Sequence, residues 1–168
     1  YHKWYRPDLQ GIVIVGDIDV DAVEAKLKTI FADVQKAVNP AERVYYPVAD
    51  NKEPIVAIGT DKEVDDPSIE VYFKQDATPD SEKNNVGYLA SQYMTSMITS
   101  MLNARLSELT QSANPPFTRA YSSYGNFFVA KTKEALNLSA SSKADGIEKA
   151  LKVLLQEAER ARRFGFTE

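Results

Sequence analysis

The sequence contains no cysteine and only one histidine, His2. Without thiols the chain can form neither disulfide bonds nor thiolate metal sites. His2 lies near the start of the chain with no serine or cysteine partner at a suggestive spacing, which favours a surface residue over a general base. We therefore expect no catalytic and no metal-binding residues here, and the pattern identifies no substrate-binding residues.

Basic clusters and long apolar runs are also missing. The 24 acidic and 20 basic residues are interspersed and give a net charge of −4 at pH 7, so no basic stripe is available to bind phosphates. The longest apolar runs, such as residues 12–15, are far shorter than the roughly 20 residues that a membrane span requires. We expect neither nucleic acid nor membrane as a partner. A bacterial periplasmic and a cytoplasmic location are both compatible with this composition.

What is present fits an ordinary globular domain, with 43% hydrophobic and 26% charged residues in a chain of 168. That length suits one domain, or one domain with a piece of a neighbour. The chain begins at Tyr1 without a targeting pattern, so we interpret it as part of a longer protein, called the parent chain below.

Apolar periodicity predicts the secondary structure. Residues 11–16 form a β-branched run bounded by glycines, typical of a strand buried on both faces. Asp17 and Asp19 then cap a helix over about 20–34. Three prolines punctuate the polar stretch up to residue 54, which predicts a linker. Beyond it we expect strands at 55–58 and 69–73, paired antiparallel, and a long helix over about 81–110.

The last part of the chain predicts a hairpin and a helix. Residues 117–124 and 127–138 alternate around Gly125-Asn126, a turn signal. A final helix starts near Ser141-Ser142. The fold class is therefore α+β, an antiparallel-rich sheet with helices on one face, in the order β-α and then β-β-α-β-β-α. We predict an end segment of a preceding domain at 1–38, a linker at 39–54, and a partial second α+β domain at 55–168, truncated at its C-terminus.

Four local motifs are distributed from one end of the chain to the other: Trp4-Tyr5-Arg6-Pro7-Asp8, the following run through Gly16-Asp17, the pair Arg105-Leu106 in the long helix, and the closing residues 163–168. Together they resemble the insulinase/pitrilysin family of zinc peptidases. The resemblance implies a parent zinc peptidase whose paired α+β domains enclose unfolded peptides in a chamber. Its zinc would be held upstream by an H-x-x-E-H helix.

The resemblance also implies what this chain lacks. Some family members supply an arginine after the leucine that follows the arginine-leucine pair, to stabilise the substrate carbonyl oxygen. Here Leu109 is followed by Thr110, which cannot supply positive charge. We expect zinc only in the full-length parent, with the rest of that chain and a peptide substrate as partners.

Other candidate clusters have ordinary structural interpretations. Asp17, Asp19 and Asp21 fail the calcium-loop pattern at Ala22 and Lys28, and indicate a helix start. For Met94, Met97 and Met101, core packing is favoured over a peptide-binding surface. For Arg119, Tyr121 and Tyr124, cross-strand packing is favoured over a peptide groove. For Asp61, Glu63, Asp65 and Asp66, a solvated loop is favoured over a cation site.

Three hypotheses for function follow. The chain is a non-catalytic domain of a zinc-dependent peptidase that forms part of the substrate chamber. Alternatively, the parent is a catalytically inactive homologue that serves as a scaffold or partner subunit. In the third hypothesis the chain is a peptide-binding module by itself.

Overall fold

The computed structural model describes residues 3–64 and 66–166, so residues 1–2, which include His2, together with Asp65 and residues 167–168 lie outside the described part. The chain divides into two compact units, Tyr1–Val44 and Tyr45–Glu168. No helix among the described residues combines the length and the apolar character needed to cross a membrane.

The first unit contains one α-helix, α1, at Val20–Ile30. Asp19 is its N-cap, and its Oδ1 accepts a hydrogen bond from the backbone N–H of Ala22 at 3.0 Å, which confirms the predicted cap at this residue. The helix ends four residues earlier than predicted. The N–H of Ala32 turns back to the carbonyl of Thr29, so the chain leaves the α-helical ladder there.

Two predicted strands are absent. Residues 11–16 and 55–58 form no strand, and their apolar side chains face solvent, with Val13 and Val15 87% and 91% exposed and Val56 79% exposed. A β-branched run favours extended backbone, but a strand exists only when a neighbour pairs with its main chain. Neither run has such a neighbour within the described ranges.

The second unit is built on a three-stranded antiparallel sheet. Its strands are β1 (Ser68–Asp76), β2 (Arg119–Asn126) and β3 (Lys133–Ser141), in the order β1-β3-β2. The prediction that residues 69–73 pair with 55–58 is wrong, because β1 pairs with β3, for example Val71 with Leu138. The last strand in sequence is thus the central one.

The reversal between β2 and β3 lies later than predicted. Gly125 and Asn126 still pair with β3, and the chain turns through residues 127–132, where Phe128 has a φ of 52°. The N–H of Phe127 donates to the carbonyl of Lys133 at 2.9 Å. This bond extends the ladder past the turn signal, so the hairpin closes through a longer loop.

Two helices cover one face of this sheet. They are α2 (Val86–Thr110) and α3 (Ile147–Phe164). The predicted start of the last helix near residues 141–142 is wrong: Ser141 ends β3, and α3 follows Gly146, which provides no side-chain cap. The order of these elements and their one-sided arrangement confirm the α+β class.

The core lies where both helices cross β3. Leu102 and Leu106 come from α2, and Ala150 and Leu154 from α3. They pack on Leu138 and on the β3 residues two positions away, since alternate side chains of a strand share a face. Four of the core residues, Leu106, Leu138, Ala150 and Leu154, are at most 1% exposed.

A lysine clamp fastens the start of this unit to the sheet. Lys133 Nζ lies 2.6 Å from Oδ1 of both Asp50 and Asp76, and its side chain is only 6% exposed. The hydrogen bond to Asp50 contributes most to raising the pKa of Lys133. The Thr132 hydroxyl also donates to the carbonyl of Tyr46 at 3.2 Å. Together these contacts hold segment 46–50 against the ends of β1 and β3.

We predict that Leu106→Ala lowers the free energy of unfolding by about 2–5 kcal/mol, because it leaves a cavity at a fully buried site. Leu89→Ala is the matched control on the same helix, where the side chain is 68% exposed. It should change stability by at most about 0.5 kcal/mol. Urea denaturation followed by circular dichroism measures both values. Equal losses for the two variants would contradict this placement of the core.

Candidate functional site

The N-terminal half of α2 presents its apolar side to solvent. Met94, Met97 and Met101 are 57%, 45% and 38% exposed, so the prediction that they pack in the core is wrong. The same exposed side carries Val86, Leu89, Tyr93 and Ile98. We call these seven residues the outer face of α2. Its apolar character is unusual for a surface helix, whose exposed side is normally polar.

The side of α2 that meets the sheet is polar instead. Asn103 Nδ2 donates to the carbonyl of Ser122 at 2.9 Å, and the N–H of Ser122 donates to Asn103 Oδ1 at 2.5 Å. The hydroxyl of Ser122 also donates to the carbonyl of Thr99 at 3.3 Å. The Asn103 carboxamide therefore pairs with β2 as an adjacent strand would, and occupies this edge of the sheet at Ser122.

Further along the same side, a polar cavity of about 370 Å³ opens between α2 and the sheet. Its ten lining residues include Gln75 from β1, Tyr124 from β2, Glu134 from β3, and Tyr88 and Gln92 from α2. The cavity lies where the apolar face of β3 ends. Glu134 has the same orientation as Leu136 and Leu138 because it lies two and four residues before them.

A hydrogen-bonded chain crosses the floor of this cavity. Gln75 donates to the hydroxyl of Tyr124, and that hydroxyl donates to Glu134 Oε2 at 2.7 Å. Burial of the phenol, followed by the bond to Glu134, raises the pKa of Tyr124 to about 12. Glu134 itself is 7% exposed. The sequence signal for this site was Glu134, a charged residue at a position where the alternation of β3 predicts an inward-facing side chain.

The predicted arginine-tyrosine cluster is divided by the sheet. Arg119 and Tyr121 project from one face of β2, and Tyr124 projects from the other, since their positions differ in parity. Only Tyr124 reaches the cavity. Tyr121 is 43% exposed on the face away from the helices.

The pair Arg105-Leu106 has a packing role. Leu106 is fully buried. Arg105 Nε lies 3.7 Å from Glu157 Oε2 on α3, and its guanidinium sits over the ring of Phe166, 4.9 Å from the centroid. Thr110, found where some relatives of the resembled family have arginine, donates from its hydroxyl to the carbonyl of Ser107 at 2.6 Å. This hydrogen bond lies in the last turn of α2, which ends at Thr110.

The described residues do not fit a catalytic zinc centre. Across 3–64 and 66–166, no group of three or more histidine, cysteine, aspartate or glutamate residues is placed to hold a metal ion. In the acidic loop, Asp61 Oδ1 accepts a hydrogen bond from the backbone N–H of Glu63 at 2.9 Å, while Asp65 lies outside the described part.

The sequence matches the family model described as "Peptidase M16 inactive domain" over residues 1–168. The chain belongs to this M16 family. The match confirms the resemblance to insulinase/pitrilysin peptidases that the motifs around Arg6 and Arg105 predicted.

Two longer proteins resemble this M16 domain in sequence. "Probable zinc protease PqqL" of Haemophilus influenzae is 29% identical over 113 residues, or 64% of this chain and 11% of that protein. "Zinc protease PQQL-like" of Arabidopsis thaliana is 27% identical over 118 residues, or 70% of this chain and 12% of that protein. The chain therefore spans only about an eighth or less of the relatives' length.

Solved structures share the fold. The periplasmic protease PqqL from Escherichia coli matches with a TM-score of 0.76 and 23% identity, covering 99% of this chain and 18% of that one. The first half of the same protease matches with a TM-score of 0.71 and 21% identity, covering 98% and 34%. At these identities the matches support the M16 domain fold alone.

We predict that Tyr124 of this M16 domain ionises near pH 12, and that Glu134→Gln lowers its pKa because the charged acceptor is lost. The raised pKa means that folding favours the neutral phenol. Its contribution to stability is full below the ordinary pKa of 10 and is lost as the pH rises toward 12. NMR titration of tyrosine ring carbons measures the pKa, with Tyr124→Phe identifying the signal. An unchanged pKa in Glu134→Gln would contradict this coupling.

Proposed function

We propose that this M16 chain is a non-catalytic domain of a zinc-dependent peptidase and forms part of the wall of its substrate chamber. The observation that carries the proposal is the inactive-domain match over the whole sequence. Both sequence relatives are named zinc proteases, which supports a zinc peptidase as the parent.

The supply of metal ligands supports a non-catalytic role. Catalytic zinc sites take three protein ligands, commonly with at least one histidine or cysteine among them. This sequence offers His2 alone and no cysteine. In the proposed parent, zinc and the residues that activate water lie in another domain, and this chain contributes shape and packing.

The outer face of α2 supports a position against other parts of the parent. Its seven apolar residues would be costly to leave in water, whereas apolar contact with a neighbouring domain would bury them. In the proposed parent, residues 1–38 complete the preceding domain, where strands pair with the exposed run at 12–15, and residues 39–54 link it to this one. The outer face of α2 and the run at 12–15 then both lie inside the parent protein.

The pairing of Asn103 with Ser122 argues against peptide addition at the β2 edge of the sheet. Addition of an extended peptide to a sheet requires free main-chain groups along an edge strand. On β2 the N–H and carbonyl of Ser122 are already bonded to Asn103. A peptide would have to displace this side chain from the middle of the strand.

The test compares the parent chain with the isolated 168 residues. We expect the parent to bind stoichiometric zinc and to cleave an unfolded fluorogenic peptide, because it supplies the ligands that this domain lacks. The isolated chain should do neither. Metal analysis by mass spectrometry and the peptidase assay measure this, and chelation of zinc should abolish the parent's activity.

Other results would overturn the proposal in different ways. A parent that lacks zinc and activity but forms a stable complex with an active homologue would support the scaffold hypothesis. Heat released when extended peptides without arginine or lysine are titrated into the isolated chain would support the peptide-module hypothesis. Zinc-dependent cleavage by the isolated chain would exclude a non-catalytic domain.

A further inference from the structure

Glu134 has an unusual environment for a buried carboxylate. Its side chain is largely buried, with the residue only 7% exposed, and Tyr124 donates one hydrogen bond to its Oε2. No residue among 3–64 and 66–166 forms an ion pair with it. Its Oε1 accepts no hydrogen bond from those residues. Buried carboxylates are normally compensated by an opposite charge, because transfer of an isolated charge out of water is costly.

The cavity in front of Glu134 is negatively charged. Of its ten lining residues, Glu82 and Glu134 are acidic and none is basic. Lys83 does not line the cavity: its Nζ bonds to Asp80 Oδ1 at 2.8 Å, and its charge acts on Glu134 only as a weaker electrostatic interaction. The other lining residues carry hydroxyl and amide groups, which can accept hydrogen bonds from a cation.

The N-terminus of α2, close to this cavity, is already capped. Asn85 Oδ1 accepts the N–H of Tyr88 at 2.8 Å, and the carbonyl of Asn85 accepts the N–H of Leu89. The first turn therefore does not present these donors to Glu134 or to an anionic ligand. A positive charge in the cavity would give Glu134 the direct ion pair that it lacks among the described residues.

We infer that this cavity binds a positively charged guanidinium or alkylammonium group, with Glu134 as its anionic partner. The free Oε1 accepts the hydrogen bond of the cation, while Tyr124 and Gln75 hold the carboxylate in place. A volume of about 370 Å³ falls in the usual range of small-ligand clefts, about 300–1,000 Å³. The cation is a basic side chain, supplied either by a peptide or by the parent chain outside these residues.

The test uses N-acetyl-arginine amide as the probe, with the uncharged N-acetyl-citrulline amide as its near-isosteric control. Titrations of the 168-residue chain are followed by NMR shifts of the Gln75 and Gln92 side-chain amides. We expect saturable binding of the arginine probe, at least about tenfold tighter than that of the citrulline probe, because only the former pairs with the carboxylate. Equal affinities would overturn the inference.

Two sets of variants assign the effect to this cavity. Glu134→Gln should weaken arginine binding about tenfold or more, whereas Glu148→Gln, on the exposed start of α3, should leave it unchanged. Ser91→Arg, on the α2 side of the cavity, should raise the melting temperature and block the probe, whereas Ser91→Met should not raise it. Unchanged arginine binding in Glu134→Gln and no stabilisation by Ser91→Arg would each contradict the site.

The same titration of the parent chain separates the two sources of the cation. If the parent also binds the arginine probe, the cavity is open to a peptide side chain. If the parent excludes a probe that the 168-residue chain binds, a basic residue of the parent fills the cavity. Either result supports the site, and neither depends on peptidase activity, so failure of the proposed function is distinguishable from failure of this inference.

Discussion

The packing of β3 between its two neighbouring strands and under two helices is the contact on which the second unit depends. Leu138 lies at the centre of β3 and is fully buried against Leu106 and Leu154. This contact joins elements that are distant in sequence, because β3 is central in the sheet but comes after β1, α2 and β2. Once β3 is inserted, the positions of the Lys133 clamp at one end and of the Glu134 cavity beside it follow from strand alternation.

The same packing accounts for the inverted polarity of α2. The α2 residues that meet the core, Leu102, Leu106 and Leu109, all lie in the second half of the helix, so the first half extends beyond the apolar part of the sheet. On the sheet side this region contains Ser122, Tyr124 and Glu134. On the facing side of the helix lie Asn103, Thr99 and Tyr88. Polar groups pair on the inner side, which leaves the apolar outer face without a partner among the described residues. Such a face is expected for a domain that packs inside a larger protein.

Apolar periodicity predicted correctly those helices and strands whose pattern is contained within their own residues. The alternation at 69–73 and the helical repeats in α2 and α3 were readable because one side of each element is apolar, and Asp19 was identifiable as a cap. Residues 11–16 and 55–58 carry equally clear strand patterns, but no segment among residues 3–64 and 66–166 pairs with them. The hairpin signal at Gly125-Asn126 was overridden by continued pairing up to Lys133.

The candidate site was harder to predict than the fold. Gln75, Tyr124 and Glu134 come from three strands and meet only through the sheet register, which no local spacing encodes. For α2 the sequence shows two plausible inner sides, since apolar residues surround much of the helix. The side of α2 that packs on the sheet is the one with Asn103, and its pairing with Ser122 is visible only in the folded structure.

The most direct test of an interior position uses the methionines, because all three in the sequence lie on the outer face of α2. Oxidation by dilute hydrogen peroxide, followed by peptide mass spectrometry, compares the isolated chain with the parent. Our account predicts rapid sulfoxide formation at Met94, Met97 and Met101 in the isolated chain and strong protection in the parent. Equal oxidation rates in the two proteins would contradict it.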